Sequence, residues 1–267
     1  MAEEVKVREE KKNASKSATK DMTVGSPMRL ILGFSIPLLC GALFQQFYSV
    51  VDTVIVGRIL GVNALAGVGA TGSVNFMIVG FCMGVCSGFS IPIAHKFGAG
   101  DYSGMRQFAA NSAWLAAIFS VVITVTVVFL CKNILIWMKT PEDIFAESYA
   151  YIVVIFAGIP ATFLYNMLSG IIRAMGNSRT PLYFLTLSSV LNIGLDFLCI
   201  LTFDMGVAGA AVATVVSQLV SGVLCLIYTI KKFELLHITK EEWKINAHHM
   251  WTLCGMGIPM GLQYSIT

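Results

Sequence analysis

Long apolar runs, separated by short polar turns, set the pattern of this chain. Residues 59–94, 107–131, 148–172 and 205–230 contain no Asp, Glu, Lys or Arg. Residues 30–57 contain only Asp52, and 182–203 only Asp196. A helix needs ~20 apolar residues to cross the hydrocarbon core of a bilayer, so each run predicts one span. The run 59–94 is the longest, yet Gly61, Asn63, Gly67, Gly69 and Gly72 mark its start as a turn and a small-residue helix opening. The pattern therefore predicts six spans, at about 30–56, 64–93, 107–130, 148–171, 181–203 and 207–230.

Composition agrees with the pattern. The 267 residues are 56% hydrophobic and 12% charged, with a mean hydropathy of +0.76. A soluble domain carries about 25% charged residues. These values exclude a water-exposed globule, intrinsic disorder, collagen and a nucleic-acid partner, and predict an all-α polytopic membrane protein whose first partner is the lipid bilayer. Charge placement then orients it. Of the 18 Lys and Arg, all but Arg58, Lys132 and Lys139 fall in the N-terminal tail, the second and fourth loops, or after span six. Basic residues collect on the cytoplasmic side, so the N-terminus and the segment 231–249 are expected inside a cell (plasma) membrane, with the bacterial inner membrane the expected one. The tail is too polar for a signal peptide.

A repeat organises the chain further. Met28, Gly33, Ile36 and Pro37 recur as Met250, Gly255, Ile258 and Pro259, a constant shift of 222 positions. The first set opens span one, and the second follows a charged linker. Six spans followed by a restart on the same side imply a parallel repeat about the membrane normal. The expected organisation is a polar cytoplasmic tail at 1–27 and an N-terminal six-helix transmembrane lobe at 28–230. A cytoplasmic linker at 231–249 follows, then the truncated start of span seven, and of a second lobe, at 250–267. A complete molecule on this plan has roughly 450 residues and twelve spans, and the missing C-terminal lobe is expected to be needed for function.

Candidate chemistry is sparse, which makes the exceptions informative. An aspartate at the centre of a spanning helix costs ~2.5–3.5 kcal/mol on insertion scales. Asp196 lies mid-span, with Asn192 one turn earlier on the same face. The turn after span five centres near Met205, nine residues from both Asp196 and Thr214. At ~1.5 Å per residue those two sit at matching depth, ~13 Å below the turn and close to the midplane. Asp52 lies in the outer part of span one. Two carboxylates, an amide oxygen and a hydroxyl can converge on one small cation or proton. The seven cysteines fall in or beside apolar runs, where thiols act as small hydrophobes. Cys82 and Cys86 share a face but have no histidine or carboxylate nearby, so no metal site is expected beyond Na⁺ at the acidic residues. His248-His249 reads as a solvated pair, and the sequon Asn13-Ala14-Ser15, on the cytoplasmic side, as unmodified.

At this point the sequence resembles a known family, multidrug and toxic compound extrusion (MATE). The resemblance rests on Ile36-Pro37, Gln45-Gln46-Phe47-Tyr48, Val51-Asp52-Thr53, Gly57 and Ala64-Leu65-Ala66. It continues through Arg173-Ala174-Met175-Gly176-Asn177, Leu191-Asn192-Ile193 with Asp196, and Gly206-Val207-Ala208-Gly209-Ala210-Ala211 with Thr214 and Gln218. It covers residues 28 to 267 and implies two six-helix lobes around a central cavity. It also implies a cation-coupling site at Asp52, Asn192, Asp196 and Thr214. Asn166 resembles a further polar cavity residue, and Gln45, Tyr48 and Ser169 are cavity-lining candidates, although Ser169 stands where some relatives carry asparagine. The function implied is secondary antiport: small organic, cationic compounds leave in exchange for inward Na⁺ or H⁺. No cofactor is expected apart from that coupling ion, and no enzymatic activity.

Local physics is compatible with that mechanism. Two carboxyls buried together cannot both stay ionised without a counter-ion, so such a pair takes up a proton or a hard cation. Pro37 and Pro160 each remove a backbone hydrogen bond and are candidate kinks. Met77, Met83 and Met167 are candidates for an adaptable lining, although methionine also serves plain packing. Other functions fit less well. Gly98-Ala99-Gly100-Asp101 looks like the signature of intramembrane aspartyl proteases, but Asp101 sits in a loop between Lys96 and Arg106. A lipid-linked oligosaccharide flippase of the same superfamily would require basic residues lining the cavity, whereas the spans hold acidic ones. A non-transporting fragment, or a two-lobed homodimer, completes the alternatives.

Overall fold

The apolar runs become helices because inside a bilayer every backbone N–H and C=O must find its partner within the segment. The computed structural model describes residues 26–266, so the tail 1–25 and its sequon lie outside the described residues. Helix α1 (Pro27–Ile59) begins with a proline in its first turn, where a missing N–H costs nothing, and continues unbroken through Pro37. Gly61, at φ 90°, turns the chain into α2 (Val62–Gly98), and Gly100, at φ 74°, turns it again into α3 (Tyr102–Trp137). Lys139, with φ 55°, closes the next turn before α4 (Glu142–Ala157) and α5 (Ile159–Ala174). Helix α6 (Arg179–Phe197) runs into a π turn at Leu198–Thr202, and α7 (Gly206–Lys232) returns across the membrane. A 3₁₀ turn at Glu234–Leu236 precedes α8 (Ala247–Ile266), which contains Pro259.

Five of these helices are long and apolar enough to span a bilayer, and the bent pair α4 and α5 makes a sixth when taken as one span. The molecule is thus an all-α polytopic membrane protein, and each run read from the sequence lies within one span to about a residue. The bend differs from the expectation for Pro160. A proline in mid-helix would strip the partner from the carbonyl of Phe156. The chain breaks at Gly158 instead, and α4 and α5 meet at 46°. Gly158 N–H closes α4 onto Val154 O at 3.0 Å, and Ala161 and Thr162 N–H restart on Gly158 O. Pro160 then occupies the first turn of α5, so the bend takes the form of a break between two helices rather than a kink within a continuous one. The lack of a side chain at Gly158 also admits Val215 of α7 to the break.

Helix α2 is the hub, touching α1, α3, α4, α5 and α8. Phe89 and Ile93 on α2 pack with Phe156, Ile159 and Ile172 of the bent span, all fully buried. By contrast α1 buries only Gly41, Ile55 and Val56, and turns Leu32, Leu39, Leu43 and Phe47 outward. Cys82 and Cys86 are part of the same core, and Cys86 Sγ donates weakly to Phe163 O at 3.9 Å. No cluster of three or more potential metal ligands occurs among the described residues.

The segment between α7 and α8 is more than a solvated linker. Glu242 accepts from Arg106 Nε at 2.8 Å and Nη2 at 2.7 Å, and its second oxygen accepts from Thr239 N–H at 2.8 Å. Asn246 N–H donates to Asn111 Oδ1 at 2.9 Å, and Trp114 Nε1 to Trp243 O at 3.3 Å. Together these straps hold the segment against the first half of α3. The Arg106 guanidinium pushes the Glu242 carboxyl down to about 2, so the strap stays charged throughout the physiological range and loosens only as pH falls toward that value. The paired histidines depart from the expected solvated arrangement. His249 stacks on Phe108 at 4.3 Å, because α8 lays its first turn against α3, while His248 stays exposed.

Candidate functional site

Three helices bring the acidic residues together. Asp52 comes from α1, Asn192 and Asp196 from successive turns of α6, and Thr214 from α7. Helix α7 approaches closely because its facing side is Gly209, Ala210, Ala211 and Ala213, all buried. A Cβ at Gly209 would already lie 3.2 Å from that of Cys199. In the orientation that satisfies both neighbours, Asn192 Nδ2 donates to Asp196 Oδ2 at 3.3 Å, and Asn192 Oδ1 accepts from Thr214 Oγ1 at 3.2 Å. The Asp52 and Asp196 carboxyls interact side chain to side chain across the α1–α6 interface. Asp196 is 0% exposed and Asn192 1%. Each aspartate still has one buried oxygen, Oδ1, with no hydrogen-bond partner. Neither forms an ion pair with Lys or Arg among the described residues. Asp52 and Thr214 are half-buried, and chemically this is a partly buried oxygen cluster with spare acceptor capacity, suited to a proton or a hard cation.

The four residues expected at the site therefore meet, with one change of register. Depth arithmetic set Thr214 opposite Asp196, whereas its contact is Asn192, one turn away. A π turn at Leu198–Thr202, with the residues up to Met205, separates α6 from α7 on this side. Tyr151, on α4, was not anticipated. It is 7% exposed and, with Tyr48, lies within electrostatic range of both carboxyls. No sequence signal marked it, since a lone tyrosine in an apolar run looks like packing.

Beside the cluster opens a cavity of about 390 Å³, whose polar lining includes Gln45, Tyr48, Asn166, Arg173, Asn192 and Gln218. Of the lining candidates, Gln45, Tyr48 and Asn166 border this cavity. Ser169 does not: it is 1% exposed, turned into the helix packing behind the wall. Among the candidate methionines Met83 reaches the cavity, while Met167 is packed in the core. The presence of Arg173 corrects the expectation that only acidic residues face this space. Its spacing of seven from Asn166 put both on one face of α5, a signal available in the sequence. Asp101, the residue of the protease-like motif, caps α3 instead. Its Oδ1 accepts from Gly104 N–H at 2.9 Å and its Oδ2 pairs with Lys96 at 2.7 Å, and Lys96 holds its carboxyl below the usual range.

Known proteins resemble this chain in sequence and fold. The probable multidrug resistance protein YpnP of Bacillus subtilis is 30% identical over 248 residues, which is 92% of this chain and 55% of the relative. The probable multidrug resistance protein NorM of Thermotoga maritima is 29% identical, over 79% of this chain and 46% of its own length. Among solved structures, a MOP superfamily transporter from Pyrococcus furiosus superposes with a TM-score of 0.84 at 29% identity, over 90% of this chain and 53% of that one. The chain spans about half the length of the curated relatives it matches. The family described as MatE matches residues 37–198, which run from Pro37 through both aspartates of the cluster. That match takes in more than half of the residues, and the chain belongs to the MATE family.

Proposed function

We propose that this chain is the ion-coupling half of a secondary antiporter that exports small organic, cationic compounds in exchange for inward Na⁺ or H⁺. The observation that carries the proposal is the meeting of Asp52 with the buried Asp196, beside Asn192 and Thr214 and next to a cavity. Tyr48 and Asn192 border both spaces. The relatives' names as multidrug resistance and export proteins supply the cargo class. Occupation of the cluster by a cation removes the repulsion between the carboxylates and favours one lobe shape. A compound that binds the other shape better is then driven out by the inward ion gradient. The repeat at Met250–Pro259 supports a second six-helix lobe after the strap, with α8 as the beginning of its first span. The decisive assay uses proteoliposomes containing the full-length protein and a fluorescent organic cation. Efflux is expected to accelerate when an inward Na⁺ or H⁺ gradient is imposed, and indifference to both gradients would overturn antiport.

We further propose that the N-terminus and the strap 231–249 face the cytoplasm of a bacterial plasma membrane. Single cysteines replacing Gly100 and Lys240 should react with an impermeant maleimide only in inverted vesicles. A cysteine replacing Lys139 should react only in intact cells. Labelling of the Lys139 position from the cytoplasmic face would invalidate this orientation.

A further inference from the structure

Arg173 has an unusual setting. The two ion pairs among the described residues are Lys96–Asp101 and Arg106–Glu242, so no described carboxylate lies within 4 Å of the Arg173 guanidinium. A charge on an apolar span is expensive and ordinarily finds a partner or reaches water beyond the helix end. Arg173 is half-buried and borders two cavities instead, the polar one of about 390 Å³ and a neighbour of about 240 Å³ between α1 and α6. It stands where they adjoin, along with Gln45 and Tyr165.

The remaining walls suggest what fits there. Pro37, Leu38, Leu182 and Leu185 give the smaller cavity an apolar side. Ser178 and Pro181 belong to the opening turn of α6, so the positive end of that helix dipole lies on the same wall as the guanidinium. At the far end of the larger cavity are Tyr48 and Asn192, next to the acidic pair. The lining is thus polarised: acceptors lie toward one end, and a planar, permanently charged donor at the other.

From this we infer that Arg173 is an anion subsite for an amphiphile, holding its carboxylate or phosphate by charge-assisted hydrogen bonds while the hydrocarbon lies along Leu38, Leu182 and Leu185. The compounds accepted then include zwitterions, whose cationic group points to the Tyr48–Asn192 end. The inference rests on the proposed role of this cavity as the transport path. Its test is equilibrium binding without any gradient, so failed ion coupling and a failed subsite give different results.

The full-length protein in phosphatidylcholine nanodiscs is titrated with dansyl-undecanoate and with its methyl ester. The carboxylate should bind about tenfold more tightly than the ester. Arg173→Gln should erase that difference by weakening the carboxylate alone, and Arg173→Lys should keep most of it. Equal affinities for acid and ester in the wild-type protein would refute the subsite, and that comparison stands even if Arg173→Gln does not fold. Retention of the preference in a folded Arg173→Gln protein would refute it too. Nanodiscs enriched in phosphatidylglycerol identify the occupant. Weaker carboxylate binding in wild type, absent in Arg173→Gln, assigns the subsite to a lipid headgroup as well, and unchanged binding assigns it to the free amphiphile.

Discussion

Asp196→Asn in the full-length protein is expected to reduce ion-driven efflux to background while the protein still inserts and folds. The amide keeps the size of the carboxyl and much of its hydrogen bonding, and it is cheaper to bury. What it removes is the titratable charge, and with it the ability of the cluster to bind and release a cation. Asp52→Asn should act the same way, because each carboxyl is the nearest acidic neighbour of the other. Asn192→Ala and Thr214→Ala remove neutral ligands, each worth ~1 kcal/mol, or roughly fivefold in cation affinity, and should weaken coupling without abolishing it. Asp101→Asn is the control. Its carboxyl caps α3 and pairs with Lys96 in a turn distant in sequence and function from the cluster, so coupling should be unchanged. Efflux is followed in proteoliposomes under an imposed Na⁺ or H⁺ gradient. Wild-type transport by Asp196→Asn would show that the coupling site lies elsewhere.

Much of this architecture was readable from residue type alone, because a bilayer imposes few choices. Charge-free runs had to be helices, and the two aspartates inside them had to find company. That reasoning brought Asp52, Asn192, Asp196 and Thr214 to one place but not to the right register, since depth counted along a chain does not fix how two helices face each other. Pro160 signalled a disturbance of span four without its form. The break falls two residues earlier, at Gly158, where Val215 packs against the chain.

The features that escaped the sequence depend on partners far along the chain. Arg106 and Glu242 each look like ordinary loop charges, and only the fold joins them across 136 positions. Arg173 near a helix end reads as a cytoplasmic charge, because hydropathy cannot tell a residue that faces water from one that faces a cavity. The glycines of α2 are a similar case. Gly80, Gly84 and Gly88 recur every four residues and so form a groove, but nothing in α2 says which helix fills it.

That groove gives the second large prediction. Helix α8 lies in it with its own four-residue repeat, Gly257 and Gly261, so the two backbones touch. A Cβ at Gly88 would fall 2.6 Å from Gly257 Cα, one at Gly80 would fall 2.8 Å from Tyr264 O, and one at Gly84 would run into Met260 O. Phe81 and Phe89 lock the seam from the other side, since a Cβ at Gly261 would come 2.8 Å from the Phe81 ring. Backbone atoms cannot rotate away as side chains do, so Gly84→Leu and Gly88→Leu should force α8 off α2. Overpacking of this kind costs about 1–3 kcal/mol, or roughly 2–4 °C in Tm per kcal/mol for a chain of this size. Gly72→Leu, on the same helix but with nothing within 4 Å of its Cβ, carries the same change in helix propensity without the clash. Thermal unfolding of the detergent-solubilised protein should therefore show Gly84→Leu and Gly88→Leu several degrees below wild type and Gly72→Leu close to it. Equal midpoints for Gly72→Leu and Gly84→Leu would mean that the α2–α8 seam is not the close contact described.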